Sequence, residues 1–179
     1  MRYDIKKYFK YATASEEESE DKPAPEKRLR KAMEAMLAYI RAIHTWFHGA
    51  HHITSGTGFA GDHVSLYGRI YEEIQEDFDE AAEKAIGLLD EQVACPIVTL
   101  RNAAKVSSNF KSPVGLDDLE IANEALSIID RYLQFLNKIY YDLKGSDELT
   151  LGLDDFIMAM ANDYETFLYL LRQRVTNGK

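Results

Sequence analysis

The residues best suited to chemistry lie between His44 and Glu83. All five histidines fall there, at 44, 48, 51, 52 and 63, together with the single tryptophan, Trp46. His44 and His48 stand four residues apart, as do His48 and His52, and His51 follows His44 by seven, so the four share roughly one side of a helix. A turn rich in Ser, Gly and Thr follows, from Thr54 to Gly58. After it come Asp62-His63 and a second helical pattern with Asp79 and Glu83 on one face. Imidazoles at the end of one helix and carboxylates along the next make a donor set for a transition metal. Each feature has a blander reading: a histidine on an apolar stripe bonded to a neighbouring carbonyl, or an acid pair on a solvated face. Clustering favours the metal, because the histidines all lie within a short stretch and none occurs elsewhere.

These residues need helices to carry them. A first helix is predicted from Pro25-Glu26, with Met33, Met36, Leu37, Ile40, Ile43, His44, Phe47 and His51 as one stripe, ending at the turn around Gly56. A second runs from Asp62, at or near its cap, to Ile86, with Leu66, Ile70, Ile74, Phe78, Ala81 and Ala85 inward. A shorter helical stretch covers about 91–106, where Pro96 must start or kink a turn. The third long helix begins near Leu116-Asp117-Asp118 and stops at Gly145. The fourth spans Leu151 to Val175, with Phe156, Met160, Tyr164, Phe167, Leu168 and Leu171 inward. The expected fold is all-α: a four-helix bundle with a short extra helix between helices two and three.

Composition sets the frame. The chain has 179 residues, 46% of them hydrophobic, enough for one sizeable core. A net charge of −9 argues against a generally basic nucleic-acid binder. One cysteine, Cys95, excludes an intrachain disulfide and suggests a reducing compartment. No leader and no span of ~18 apolar residues stands out, so no membrane association and a cytoplasmic location are expected.

Residues 1–25 read as a flexible charged tail and 26–179 as the bundle. The tail opens basic and aromatic (Arg2, Lys6, Lys7, Lys10 among Tyr3, Tyr8, Phe9 and Tyr11), then turns acidic from Glu16 to Asp21. It is either a solvated appendage or a phosphate-contacting arm, and the acidic run weakens the second reading.

The run from helix one into helix two resembles the Dps-like mini-ferritins, the DNA-binding proteins from starved cells. Their pattern is a histidine, a glycine five residues on, a phenylalanine eight on and a histidine twelve on, then an acid-rich helix ending Asp-x-x-x-Glu and a basic residue. Here His51, Gly56, Phe59 and His63 fit the first part, and Asp79, Glu83 and Lys84 the second. Tyr164 to Arg172 resembles the closing helix of the family. The resemblance covers roughly residues 30–175.

It implies a ferritin-like bundle whose iron site is shared across a two-fold between subunits, in a hollow shell usually of twelve. His51 and His63 of one subunit would face Asp79 and Glu83 of another. Ferrous iron would be oxidised there by peroxide or oxygen and stored as ferric mineral, protecting DNA. Zinc is an alternative occupant. The chain lacks Glu-x-x-His, the spacing that builds a di-iron centre inside one bundle. It also departs from the family. Tyr67, with Gly68 next, stands where an aspartate is usual, and His52 where tryptophan is frequent. One extra residue separates His63 from Asp79, so that counting back from Asp79 puts Val64 in the histidine's place. Asp62, His48 or His52 would fill the missing ligand position. DNA binding would be weak and carried by the tail. The rival readings are a DNA-binding shell with a degenerate metal site and a structural bundle with a histidine-rich seam.

Overall fold

The computed structural model describes residues 25–177, so the charged segment expected over 1–25 lies, Pro25 apart, outside the described residues. Helix α1 is Pro25–Ile53. A π-helical segment, Gly61–Gly68, runs directly into α2, Arg69–Leu88. A 3-10 turn, Glu91–Ala94, precedes the short α3, Pro96–Ser107, and the long α4 and α5 are Asp118–Gly145 and Leu151–Asn177. No strand occurs among the described residues. The architecture is the expected four-helix bundle with a short extra helix.

The apolar stripes explain the packing. Met33, Met36, Leu37, Ile40, Ile43 and Phe47 of α1 are buried, as are Leu66, Ile70, Ile74, Ala81 and Ala85 of the second helical unit. The fourth long helix buries Phe156, Met160, Tyr164, Phe167, Leu168 and Leu171. Helices α1 and α2 form one hairpin, α4 and α5 the other, and α3 lies against α1. The Trp46 indole donates to the Lys111 carbonyl at 2.7 Å, tying α1 to the loop after α3. No helix among the described residues is long and apolar enough to cross a membrane.

Local signals set the helix ends. Asp117 caps α4 in a reciprocal capping box with Glu120. Pro96 opens α3 and separates it from the 3-10 turn, where its missing N–H costs no intrahelical bond. Asp90 accepts from Gln92 and is held in a two-pronged contact by Arg30, whose guanidinium lowers its carboxyl pKa.

The π segment includes His63 and leads into α2, where Asp79 lies. A π turn closes i→i+5 bonds and so holds more residues per turn than an α turn. His63, and not Val64, lies against α1: His63 bonds His51, and Val64 is 64% exposed.

Candidate metal centre

The end of α1 and the π segment meet through two histidines. His51 Nδ1 lies 2.6 Å from the carbonyl oxygen of His63, and His63 Nδ1 lies 2.6 Å from the carbonyl oxygen of His51. A carbonyl only accepts, so each Nδ1 is the N–H donor, and the tautomer this selects has its lone pair on Nε2. The two rings stack at 3.8 Å with 15° between planes, and Phe59 stacks on His63 from the other side at 4.8 Å. Gly68 permits this approach. A Cβ there would stand 2.8 Å from the His63 carbonyl oxygen and 3.2 Å from His51 Nδ1.

The other histidines extend the cluster along α1. His48 and His52 are exposed, with their Nε2 atoms 3.2 Å apart. His44 stacks on His48 at 5.9 Å, and burial, then Arg41 and His48, lowers its pKa. Tyr71 presents its ring to His44, His48 and His51 at 5.0–6.1 Å. Sequence reasoning missed Tyr71, although its place one turn beyond Tyr67 puts it on the same side of the helix.

Asp79 and Glu83 lie on α2, exposed and one turn apart. Arg41 donates to Gln75 at 3.3 Å and Gln75 to Asp79 at 3.2 Å, so a relay from α1 positions the carboxylate. Asp79 is eight residues past Tyr71, about 12 Å along the helix axis. Within one chain, therefore, the histidines and this acid pair stay apart. No group of three or more His, Cys, Asp or Glu side chains gathers into a metal site among the described residues.

Asp62 is engaged elsewhere. It caps no helix N-terminus and is buried, with Arg174 Nε 2.8 and 3.0 Å from its two oxygens. Arg174 Nη2 also donates to Asp118 at 3.0 Å, so one arginine joins the π segment, α4 and α5. Tyr67, at the place expected for aspartate, is fully buried beside this network. Its hydroxyl has no hydrogen-bond partner, and burial, with the Asp62 charge next, pushes its pKa upward. Among the acids on α4, α5 and their loop, Glu148 accepts the Leu29 N–H and pairs with Arg28, while Asp147 and Asp155 stay exposed.

A second polar feature, unforeseen in the sequence, sits inside the bundle. Asp77 is buried on α2 with one carboxylate oxygen unpartnered. Burial pushes its pKa up to about 7. The adjacent Tyr164 hydroxyl opposes the shift without making a hydrogen bond of ordinary geometry, and Glu73, Asp163 and Glu80 add to it.

No family model matches the chain, and no curated protein matches it either. Solved structures do. A Dps protein from Bacillus brevis aligns with 87% of this chain and 99% of its own at 15% identity, TM-score 0.73. Mycobacterium smegmatis Dps covers 90% of this chain and 94% of its own at 15% identity, TM-score 0.69. A Dps protein from Vibrio cholerae O1, described as one of the ferritin-like diiron-carboxylate proteins, covers 84% and 91% at 17% identity, TM-score 0.69. The chain thus has the Dps-like, ferritin-like fold.

Proposed function

We propose that the protein is an iron-oxidising mini-ferritin of the cytoplasm whose substrate, ferrous iron, binds between subunits. His51 and His63 of one subunit and Asp79 and Glu83 of another would supply the ligands. One observation carries this reading: the reciprocal bonds of His51 and His63 to each other's carbonyl oxygens. Metal-bound histidines usually donate their second N–H in this way, which fixes the tautomer and aims the remaining lone pair. The separation of the histidines from Asp79 and Glu83 within one chain supports a site completed by a second copy. Two imidazoles and two carboxylates suit ferrous iron, and the carboxylates suit the ferric product still better.

In the reaction, two ferrous ions give one electron each to hydrogen peroxide. The O–O bond breaks and both oxygens leave as water on taking up two protons. The protein's part is to hold the ions near the oxidant, with each Nδ1 engaged by a main-chain oxygen so that Nε2 is the nitrogen left to ligate. Assembly into a hollow, twelve-subunit shell would give the ferric product a cavity in which to mineralise, and removing both reactants would protect DNA. Zinc, which accepts the same donors, would compete.

A second reading, a Dps-like shell with a degenerate metal site, is favoured by one observation: Asp62 is held by Arg174 and Tyr67 stands where the resemblance expects an acid, so neither supplies the missing ligand. Its DNA binding would be weak and rest on the N-terminal tail, because the net charge of −9 opposes phosphate. Ferrous oxidation separates the readings. The parent protein should oxidise iron rapidly with peroxide, and both His51→Ala/His63→Ala and Asp79→Ala/Glu83→Ala should abolish that while remaining assembled. A parent rate no faster than the protein-free reaction would leave the degenerate shell.

A further inference from the structure

His48 and His52 are drawn together at the outer face of α1, one turn apart, with His52 next to His51. Both are exposed, and their contact is Nε2 to Nε2 at 3.2 Å, with the rings at 73° and centroids 4.8 Å apart. This differs in kind from the His51–His63 pair, where each Nδ1 is bonded to a main-chain oxygen. Two imidazole nitrogens meet at this distance for one of two reasons. Either one ring donates N–H to the other, or both lone pairs converge on a shared cation.

The spacing suits the cation. Ligand nitrogens about 2.0–2.1 Å from a metal stand about 2.8–3.4 Å apart, from neighbouring octahedral to neighbouring tetrahedral positions. The observed 3.2 Å falls within that interval. The two nitrogens already stand at a ligating separation, which reduces the reorganisation that binding an ion requires. Two histidines at i and i+4 of a helix are also the spacing with which helical metal motifs present paired imidazoles.

The surroundings define the ligand. No third His, Cys, Asp or Glu joins the pair among the described residues, so water completes the coordination and the ion exchanges readily. A site of imidazole and water, without carboxylate, ranks divalent ions in the order of intrinsic nitrogen affinity, with copper strongest and zinc and nickel behind it, all ahead of ferrous iron.

We infer that His48 and His52 form a separate, solvent-facing chelate for a divalent transition ion of the copper–zinc class, contained within one helix of one chain. It does not rest on the iron site proposed above. Its neighbourhood to His51, whose ring lies 4.8 Å from that of His52, places a captured ion beside the His51/His63 pair.

Copper(II) titration of the full-length protein, followed by electron paramagnetic resonance, tests this. The parent protein should bind a copper ion per chain with two equatorial imidazole nitrogens. His48→Ala and His52→Ala, both at exposed positions, should each weaken that binding about 100-fold, the avidity a second tethered ligand supplies, and reduce the nitrogen pattern to one. The two-nitrogen signal should persist in His51→Ala/His63→Ala, which separates this site from the iron site. Loss of the signal there with helical content retained would overturn the inference. So would an unchanged stoichiometry and spectrum in His48→Ala/His52→Ala, since the 3.2 Å contact would then be a hydrogen bond alone. If the His51/His63 variant does not fold, the exposed-site variants decide the matter alone.

Discussion

His51 and His63 hold one another through their main chains: each ring bonds the other's carbonyl oxygen at 2.6 Å, across the turn that joins α1 to the π segment. The arrangement fixes the approach of two helical ends and the tautomer of two imidazoles at once. Its weak point is Gly68, where a Cβ would meet the His63 carbonyl oxygen and the His51 ring.

Gly68→Ala should therefore loosen the pair. The added methyl meets a backbone oxygen at 2.8 Å, which cannot swing aside. Overpacking of this kind costs about 1–3 kcal/mol, against which alanine recovers up to about 1 kcal/mol of helix propensity. The expected outcome is a modest net loss of stability in urea unfolding. In nitrogen NMR, the His51 and His63 signals should no longer show Nδ1 as the protonated nitrogen. Wild-type ring signals in the variant would mean that the approach is not tight.

Arg174→Ala should destabilise the protein more. It leaves the buried Asp62 carboxylate without its ion pair, and breaking a buried pair from one side costs about 3–5 kcal/mol. Because Arg174 keeps some solvent contact, about 2–4 kcal/mol is expected, with a fall in Tm of about 5–12 °C for a domain of this size. Asp62→Asn in the Arg174→Ala background should recover part of the loss. A change below about 1 kcal/mol would mean that water replaces the arginine freely.

Asp77→Asn should stabilise the protein above neutral pH. With its folded pKa raised to about 7, Asp77 stays protonated in the bundle after it has ionised in the unfolded chain. The unfolded state then binds fewer protons, so stability falls as pH rises from about 4 and levels off above about 7. The asparagine variant should lack this decline and gain of order 1–4 kcal/mol at pH 8, with a smaller gain at pH 5. Thermal unfolding at the two pH values checks it. An equal effect at both would show that Asp77 does not titrate in this range.

The sequence carried the helices because their apolar stripes are local. Met33 through Phe47 and Phe156 through Leu171 recur every three or four residues, and those positions are the buried ones. His51 and His63 were legible as a pair because the turn between them is short. The role of Asp62 was not. It looked like a helix cap, but its partner lies 112 residues away, and no local pattern reports a long-range ion pair. Asp77 was hidden for a related reason: among Glu72, Glu73, Glu76, Asp79 and Glu80 it reads as one more surface acid, and its burial near Tyr164 and Tyr132 comes from packing between distant stretches of chain. The π segment was not legible either, because its i→i+5 bonds depend on backbone geometry that composition does not specify.

The measurement that bears most directly on a site shared between subunits is ferrous oxidation by mixed shells. Subunits carrying His51→Ala/His63→Ala and subunits carrying Asp79→Ala/Glu83→Ala, each inactive alone, would be unfolded together and reassembled in equal amounts. At a two-fold interface with random pairing, about a quarter of the sites receive intact histidines from one partner and intact acids from the other. The account predicts recovery of about a quarter of the parent rate with peroxide. A mixture as inactive as its parts, despite normal assembly, would contradict it, as would either variant alone oxidising iron at the parent rate.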